Sequence, residues 1–274
     1  MINWIPIVLV FFAITSLAYF GYDLWQSKAD VIPHVEVNGV VPAIPSFAIQ
    51  PHEPQQEQNE AIDSKIAINV PDSTLQVPNL DRPIIPLIPL SSLSEDEAKR
   101  NISSLKERLR QDQDDYASWI GLGIYRKTLG DYRGAEEVWK YVTVRWPTDY
   151  VAFNNLGNLY HEQLRDFQKA EENYRKAADL QPLFVQTYSN LHNLYRYSFV
   201  EKKDKAAEPL LLGLERNPTS INLMISLGRY YIDISDMVSA TKYYKMAVQR
   251  AEIEKKSEMV VSLSKEAREN GIEI

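Results

Sequence analysis

Hydrophobic residues follow two different patterns along the 274-residue chain. Residues 2–22 contain no Asp, Glu, Lys, Arg or His and would be apolar on every face of a helix. From about residue 93 onward, apolar positions instead recur every three or four residues, which is the spacing of amphipathic helices. Residues 26–92 show no sustained helical period. The pattern therefore predicts three unlike regions.

Residues 1–25 are predicted to form a transmembrane anchor. A helix over residues 2–22, at about 1.5 Å per residue, would span about 30 Å, the hydrocarbon thickness of a bilayer. The alternative is a signal peptide cleaved after residues 1–18, with Ser16-Leu17-Ala18 as its small-residue site. We favour the retained anchor, because no Lys or Arg precedes the apolar run and the run continues past that site. Aromatic side chains flank the run, as at a membrane–water interface: Trp4, Tyr19, Tyr22 and Trp25.

The orientation of this single span has few determinants in the sequence. Lys28 is the only basic side chain near either end, so the positive-inside rule has little to act on. The region that follows is poor in Lys and Arg and would resist translocation little. We expect a single-pass protein whose C-terminal domain lies outside the cytoplasm, on the periplasmic side. A cytoplasm-facing domain is the alternative.

Residues 26–92 are predicted to be a disordered linker. Ten of the 15 prolines lie between residues 33 and 89, and the composition is polar and acidic. Residues 1–90 carry three basic and nine acidic side chains, whereas residues 91–274 carry 27 and 28, so most of the net charge of −7 belongs to the N-terminal part. The strip at 83–90 has a proline every third residue, interleaved with Ile and Leu. It either packs on the following domain or docks on a partner.

The C-terminal part contains four internal repeats. Leucines recur at spacings of 34, 35 and 36 residues: Leu122, Leu156, Leu191 and Leu227. A small residue follows each leucine at a similar distance: Ala135, Ala170, Ala206 and Ala240. A large residue stands four positions later in each unit: Trp139, Tyr174, Leu210 and Tyr244. Prolines close the first three units: Pro147, Pro182 and Pro218. Such columns are typical of helical hairpins that cross closely at small residues.

These columns resemble the tetratricopeptide repeat (TPR), in which Leu-Gly, an aromatic residue, Ala, a second aromatic residue and Pro recur over 34 residues. The resemblance covers about residues 115–252 and implies an all-α, TPR-type α-solenoid of four helical hairpins. The implied repeats are 115–149, 150–184, 185–220 and 221–252. We expect an N-terminal capping helix at 93–114 and a C-terminal capping helix at 253–274, because a solenoid needs terminal units with a polar outer side. The stripes that would cover the repeats are Ala98, Ile102, Leu105 and Leu109 in the first helix, and Met259, Val260, Leu263 and Ala267 in the last.

Four departures from the repeat pattern carry structural expectations. Arg126 stands where the first unit expects an aromatic side chain. His192 replaces a glycine, so the third hairpin should open slightly or point the imidazole outward. The inserts of repeats two and three should lie in the turns near Leu164 and at 199–204, where extra length costs little. Pro209 predicts a kink or a late start of the second helix of the third unit.

No catalytic or cofactor site emerges from the sequence. The chain has no cysteine, and its four histidines show no metal-ligand spacing. It also lacks a glycine-rich phosphate loop and a nucleophile motif. We interpret the pairs Glu136-Glu137 and Glu171-Glu172 as solvated helix faces. Near-neutral charge after residue 91 argues against nucleic-acid binding. We therefore expect no enzyme, no cofactor, no metal and no nucleic-acid partner.

The resemblance implies that the first helices of the repeats line a groove for an extended peptide or a partner helix. By position, seven side chains should face it: Asn154, Asn155, Asn158, Asn190, Asn193, Asn222 and Arg229. Asparagine donates and accepts hydrogen bonds, so it can pair with a peptide backbone of any sequence. Members of the family that hold a C-terminal carboxylate use a Lys/Arg clamp. Here Asn154, Asn222 and Ser226 occupy the basic positions, which argues against a carboxylate ligand.

The sequence thus predicts a membrane-tethered interaction scaffold with a protein partner of unknown identity. Its expected setting, by analogy with anchored family members, is an envelope assembly or secretion complex. The alternatives are a cytoplasm-facing adaptor of the same architecture and a non-catalytic regulatory subunit of an enzyme complex. Self-association is possible but has no positive indication in the sequence.

Overall fold

The computed structural model describes residues 76–84 and 92–274, and side chains from residue 95 onward in the second range. The predicted anchor and most of the predicted linker lie outside the described residues. Within the described ranges, no helix is both long enough and apolar enough to cross a membrane.

The described chain from residue 92 onward is a succession of antiparallel helices. Its α-helices are α1 (Ser92–Gln111), α2 (Tyr116–Thr128), α3 (Tyr132–Arg145), α4 (Tyr150–Asn158), α5 (Phe167–Leu180), α6 (Val185–Asn193), α7 (Ala207–Arg216), α8 (Ile221–Asp233), α9 (Met237–Ile253) and α10 (Ser257–Glu269). Helices α2–α3, α4–α5, α6–α7 and α8–α9 are the four hairpins of a TPR-like α-solenoid. Helix α1 precedes them and α10 follows them.

A single residue type begins half of these α-helices. An aspartate carboxylate at the N-cap accepts a hydrogen bond from a backbone N–H in the first turn of five helices: Asp115, Asp131, Asp149, Asp166 and Asp236. Ser220 does the same for α8. Each such cap contributes about 1 kcal/mol to helix stability. Six of the helix starts are therefore set by the residue immediately before the helix.

Glycine allows the two helices of a hairpin to approach closely. A Cβ at Gly123 would lie 2.2 Å from the indole of Trp139, and one at Gly157 would lie 2.5 Å from the ring of Tyr174. Gly228 faces Tyr244 in the same way, at 2.7 Å. The prediction that the two helices of a hairpin cross closely at small residues is thus confirmed in the first, second and fourth hairpins.

The third hairpin reaches the same closeness by a different arrangement. Its glycine, Gly213, lies on the second helix, where a Cβ would be 2.7 Å from the Tyr188 ring of the first helix. Of the two expectations for His192, an imidazole that points outward is wrong, because the ring is buried and its Nδ1 lies 2.7 Å from the carbonyl oxygen of Ala206. Since a carbonyl oxygen can only accept, Nδ1 carries the hydrogen of this bond, and burial lowers the pKa of His192.

The extra residues of repeats two and three widen the ends of the first helices. Helix α4 continues into a π-helical turn at Leu159–Leu164, and α6 into another at Leu194–Ser198. A 3₁₀ helix at Val200–Lys205 then leads to α7. A π turn holds one more residue than an α turn, so it takes up an inserted residue without breaking the helix. The extra length therefore lies close to the predicted positions but is taken up partly within the ends of the first helices and not wholly in the turns. The late start of α7 is confirmed, and it places Pro209 in the first turn.

Both end helices cover the repeats as their stripes predict. The four stripe residues of α1 are buried, and in α10 Leu263 and Ala267 are buried while Met259 and Val260 are half-buried. Gly271 ends α10 with a φ of +75°, and Ile272 folds back into the core with 2% exposure. The amide of Ile272 donates to the Ala267 carbonyl at 2.9 Å, which closes the helix end.

Residues 76–84 form a strap, with a turn at residues 80–81, that packs on the first repeat. Leu80 and Ile84 pack against the apolar core cluster whose residues run from α1 to α8. Arg82 donates to Glu137 at 3.0 Å, and Asp81 pairs with Arg110 at 2.5 Å. Ile84, at the described start of the 83–90 strip, therefore packs on the chain's own domain. Residues 85–90 lie outside the described residues.

Candidate peptide-binding face

The first helices of consecutive repeats lie side by side, so their outward-facing side chains form one continuous face, called the inner face below. Lys127 of α2 pairs with Glu162 after α4 at 3.3 Å. Asn190 of α6 donates to the side-chain oxygen of Asn154 in α4 at 3.2 Å. Arg196 after α6 pairs with Asp233 of α8 at 3.7 Å. These contacts join all four repeats.

Four of the seven predicted groove residues are engaged in bonds within the chain. Asn154 is buried, and its Oδ1 accepts from both Asn190 and Thr187. The Oδ1 of Asn158 accepts from the hydroxyl of Tyr174 at 2.6 Å. Arg229 donates to both carboxylate oxygens of Glu266 in α10, at 2.7 and 2.8 Å. Each of these side chains has a structural partner, which reduces what it can offer to a ligand.

The other three predicted groove residues face outward. Asn193 and Asn222 are exposed, and Asn155 is half-buried. Asn155 lies on α4 in the second repeat, Asn193 on α6 in the third and Asn222 on α8 in the fourth. Gln186, half-buried on α6, donates to Asn190 at 2.9 Å and places another amide on the same face. The middle of the inner face is therefore lined by neutral amides.

The charged side chains on the inner face are matched in pairs. Lys127, Arg196 and Arg229 each lie within 4 Å of an acidic partner, namely Glu162, Asp233 and Glu266 respectively. A Lys/Arg clamp for a terminal carboxylate needs cations with unused donors directed at the ligand. These three cations therefore already have acidic partners within the chain.

The interpretation of Glu136 and Glu171 as solvated is wrong. Both carboxylates are buried and join one repeat to the next. Glu136 on α3 accepts from the Tyr160 hydroxyl at 2.8 Å and from Lys140 at 2.7 Å. Glu171 on α5 accepts from the Tyr195 hydroxyl at 2.6 Å and also pairs with Lys202. We call each of these Glu–Tyr contacts a latch.

Both latches keep their carboxylates ionised. Burial pushes the pKa of Glu136 up, but hydrogen bonds from Lys140, Tyr160 and Arg133 outweigh it and lower the pKa to about 2. The pKa of Glu171 is likewise lowered, because Lys202, Tyr195 and Arg175 together outweigh burial. On the tyrosine side, burial and the bond to Glu171 raise the pKa of Tyr195 to about 12. The cost of burying each carboxylate is thus offset by its donors.

A signal for the latches was present in the sequence. Each glutamate directly follows the small residue of its repeat, and each tyrosine lies 24 positions later in the chain. The same positions in the third repeat hold Ala207 and Tyr231, so the junction between repeats three and four has no carboxylate there. Spacing within one repeat does not show this relation, because the two partners belong to different repeats.

No metal-binding cluster forms among the described residues: no group of three His, Asp or Glu side chains is close enough to hold an ion. His161 has Nε2 at 2.9 Å from the hydroxyl of Ser198, and its pKa is lowered mainly by burial. This contact joins the second repeat to the third and extends the neutral polar character of the inner face.

No protein-family model matches the chain, and no curated protein sequence matches it. Solved structures do show similar folds. The crystal structure of MamA is 23% identical over 62% of this chain and 99% of that chain, with a TM-score of 0.47. PilF of Pseudomonas aeruginosa is 17% identical over 65% and 86%, with a TM-score of 0.45. TTC0263, a thermophilic TPR protein of Thermus thermophilus, is 18% identical over 63% and 93%, with a TM-score of 0.42. These similarities are too low to transfer a function or a partner.

Proposed function

We propose that the chain is a non-catalytic interaction scaffold whose inner face binds an extended peptide or a partner helix. The observation that supports this function best is the row of outward-facing amides, Asn155, Asn193 and Asn222, across three consecutive repeats. Amides set one repeat apart can bond the backbone of a ligand that runs across the helices. The paired charges beside them favour a ligand chosen by shape and hydrogen bonds over one steered by long-range charge.

In the cell, we propose that residues 2–22 hold this scaffold at a membrane, with the repeats on the periplasmic side, as part of an envelope assembly or secretion complex. The support is the uncharged apolar run and the sparse basic residues that follow it. A cytoplasm-facing adaptor and a regulatory subunit of an enzyme complex remain the alternatives.

Membrane orientation can be tested directly because the chain has no cysteine. Val261 is 69% exposed, so a Val261→Cys variant carries a single reactive thiol on the surface of α10. In intact spheroplasts we expect a membrane-impermeant maleimide to label it. Labelling only after lysis would place the repeats in the cytoplasm and contradict the periplasmic assignment.

Binding by the inner face can be tested with a triple variant, Asn155→Ala/Asn193→Ala/Asn222→Ala. None of the three is among the engaged asparagines, so we expect unchanged helicity and thermal stability. Partner recovery in affinity capture from envelope extract should fall about tenfold or more, since each lost hydrogen bond contributes about 0.5–1.5 kcal/mol. The matched control replaces exposed residues of the outer helix α5, Glu172→Ala and Lys176→Ala. Equal recovery by both variants would contradict the proposal.

A further inference from the structure

The two latches have no counterpart between the third and fourth repeats. In the first and second repeats, the residue after the small column is Glu136 or Glu171, and each accepts from a tyrosine of the next repeat. The corresponding residues at the last junction are Ala207 and Tyr231. Both are half-buried and pack against the same apolar cluster, but a methyl group cannot accept a hydrogen bond. Repeats three and four therefore meet without a latch.

Apolar packing and an exposed ion pair join repeats three and four. Leu210 of α7 packs in one buried cluster with Leu223 and Leu227 of α8. Arg196 lies 3.7 Å from Asp233, which is beyond hydrogen-bond distance, and the Asp233 side chain is 40% exposed, so water screens the pair. Apolar contacts have no preferred direction, so packed helices can slide past one another by a small amount and still keep them.

Ring contacts add to this packing. The His192 ring meets the Tyr230 ring edge-on, with 5.4 Å between the centroids, and the Arg196 guanidinium lies 5.3 Å from the centre of the Tyr230 ring. Tyr231 stacks on Tyr243 within the fourth repeat. Ring contacts persist over a range of distances and angles, whereas a hydrogen bond weakens steeply when it is bent or stretched. These contacts hold the two repeats together without fixing the angle between them.

The latched junctions resist sliding. Between repeats two and three, Glu171 accepts from Tyr195 at 2.6 Å, and Lys202 of the third repeat bonds the same carboxylate. Charge-assisted hydrogen bonds require a fixed geometry, and a buried carboxylate that loses its donors is strongly unfavourable. A shift of one repeat against the next would break these bonds. Repeats one to three should therefore behave as one rigid unit.

The fourth repeat is tied to α10 on its other side. Glu266 of α10 accepts from Arg229 of α8 and from the hydroxyl of Tyr244 of α9. One carboxylate thus joins three helices. The fourth repeat and α10 form a second unit, and the unlatched junction lies between the two units.

We propose that the junction between repeats three and four is a shear joint, where packed helices slide and the scaffold bends. Repeats one to three lie on one side of it, and the fourth repeat with α10 lies on the other. Asn193 and Asn222 are on opposite sides of the joint, so bending changes the spacing of their amides. Asn155 and Asn193 belong to the same unit, so their spacing stays fixed. This consequence for the inner face rests on the proposed peptide binding, whereas the joint itself does not.

Distances between two spin labels test the joint in the full-length chain, because the absence of cysteine allows labels at chosen sites. Two pairs of exposed sites on second helices each span two junctions. Val144→Cys/Glu215→Cys spans only latched junctions, whereas Lys176→Cys/Gln249→Cys spans one latched junction and the unlatched one. In frozen detergent micelles without ligand, double electron–electron resonance should give a distance distribution about twice as wide for the second pair. Equal widths overturn the proposal.

Latch variants test the cause. Tyr195→Phe removes the hydroxyl of a latch but keeps the ring, and it should widen the Val144/Glu215 distribution. Tyr197→Phe, at a tyrosine that is 63% exposed, is the matched control and should leave it unchanged. Ala207→Glu supplies an acceptor near Tyr231 and should narrow the Lys176/Gln249 distribution. An unchanged width in Tyr195→Phe, or in an Ala207→Glu chain of wild-type helicity, overturns the proposal.

The outcome is independent of peptide binding, because the labels report on the chain without ligand. Equal widths would remove the joint and leave the proposed binding by the inner face intact. Loss of binding in the triple asparagine variant would, in turn, leave the difference in width unchanged.

Discussion

Single residues that end the helices carry local strain. Three residues other than glycine take positive φ angles at helix C-termini: Arg165, Ser235 and Lys255. Gly130 and Gly271 hold the equivalent conformation at two other helix ends, where an absent Cβ makes it free of steric cost. The chain therefore uses an unfavourable residue at three ends where the backbone demands a left-handed turn.

Ser235→Gly should stabilise the protein by about 0.5–1 kcal/mol, because it relieves the left-handed strain at an exposed position. Thermal unfolding of the full-length chain measures the gain as a higher midpoint. Ser235→Ala is the control, since alanine keeps the Cβ and should give no increase. Equal midpoints for glycine and alanine would show that the φ angle is not the source of strain.

Glu136 makes the stability dependent on pH. Its folded pKa of about 2 lies below the usual value of 4.5, so its contribution is complete above about pH 4.5 and is lost as pH falls towards 2. Glu136→Gln should cost about 2 kcal/mol at pH 7, and this difference from the wild type should shrink steadily below pH 4.5. Urea unfolding at several pH values measures it.

Glu172→Gln is the matched control for that experiment, because Glu172 is exposed on the surface of α5. It should change the free energy of unfolding by less than about 0.5 kcal/mol at every pH. A Glu136→Gln cost that does not vary with pH would contradict the assignment of an ionised latch.

At the scale of helices, each hairpin depends on one small residue opposite one aromatic ring. Gly157→Ala would place a Cβ 2.5 Å from the ring of Tyr174, which is buried and bonded to Asn158 and so has little freedom to move. We expect a loss of about 2 kcal/mol in the free energy of unfolding. Denaturant titration of the full-length chain measures it.

Gly271→Ala separates crowding from backbone strain. That Cβ would meet no atom within 4 Å, while the φ of +75° remains unfavourable for alanine. Its cost should be about 1 kcal/mol, from strain alone. If Gly157→Ala proved the milder of the two substitutions, close helix crossing would not be the reason for the glycine column.

At the scale of the whole molecule, the sequence predicts well those features that depend on the spacing of residues within one repeat. The four hairpins, the two end helices, the approximate insert positions and the late start of α7 follow from columns within a repeat and from Pro209. The contacts between repeats were harder to predict. Asn154 bonds Asn190 from 36 positions away, and Glu136 bonds Tyr160 from 24, so neither partner is visible within one helix.

The same reasoning explains which groove residues could be chosen from the sequence. Helical position placed all seven candidates, but it could not separate Asn193, which is exposed, from Asn154, which is buried by the neighbouring repeat. Likewise, the repeat columns do not show that His192 points inward, because its bond to the carbonyl oxygen of Ala206 spans 14 positions of the chain. Contacts between residues far apart in the sequence determine whether each of these side chains is exposed or buried.

The central claim is that one ligand runs across the inner face over several repeats. Its most direct test is photo-crosslinking in cells from Asn155, Asn193 and Asn222 in turn, with Lys176 on the outer helix α5 as the control position, followed by mass spectrometry of the adducts. We expect all three to join one partner segment, at points that follow one another in that partner's sequence, and Lys176 to join none of it. Adducts that are equally abundant from Lys176, or that fall on unrelated proteins from each position, would contradict the account.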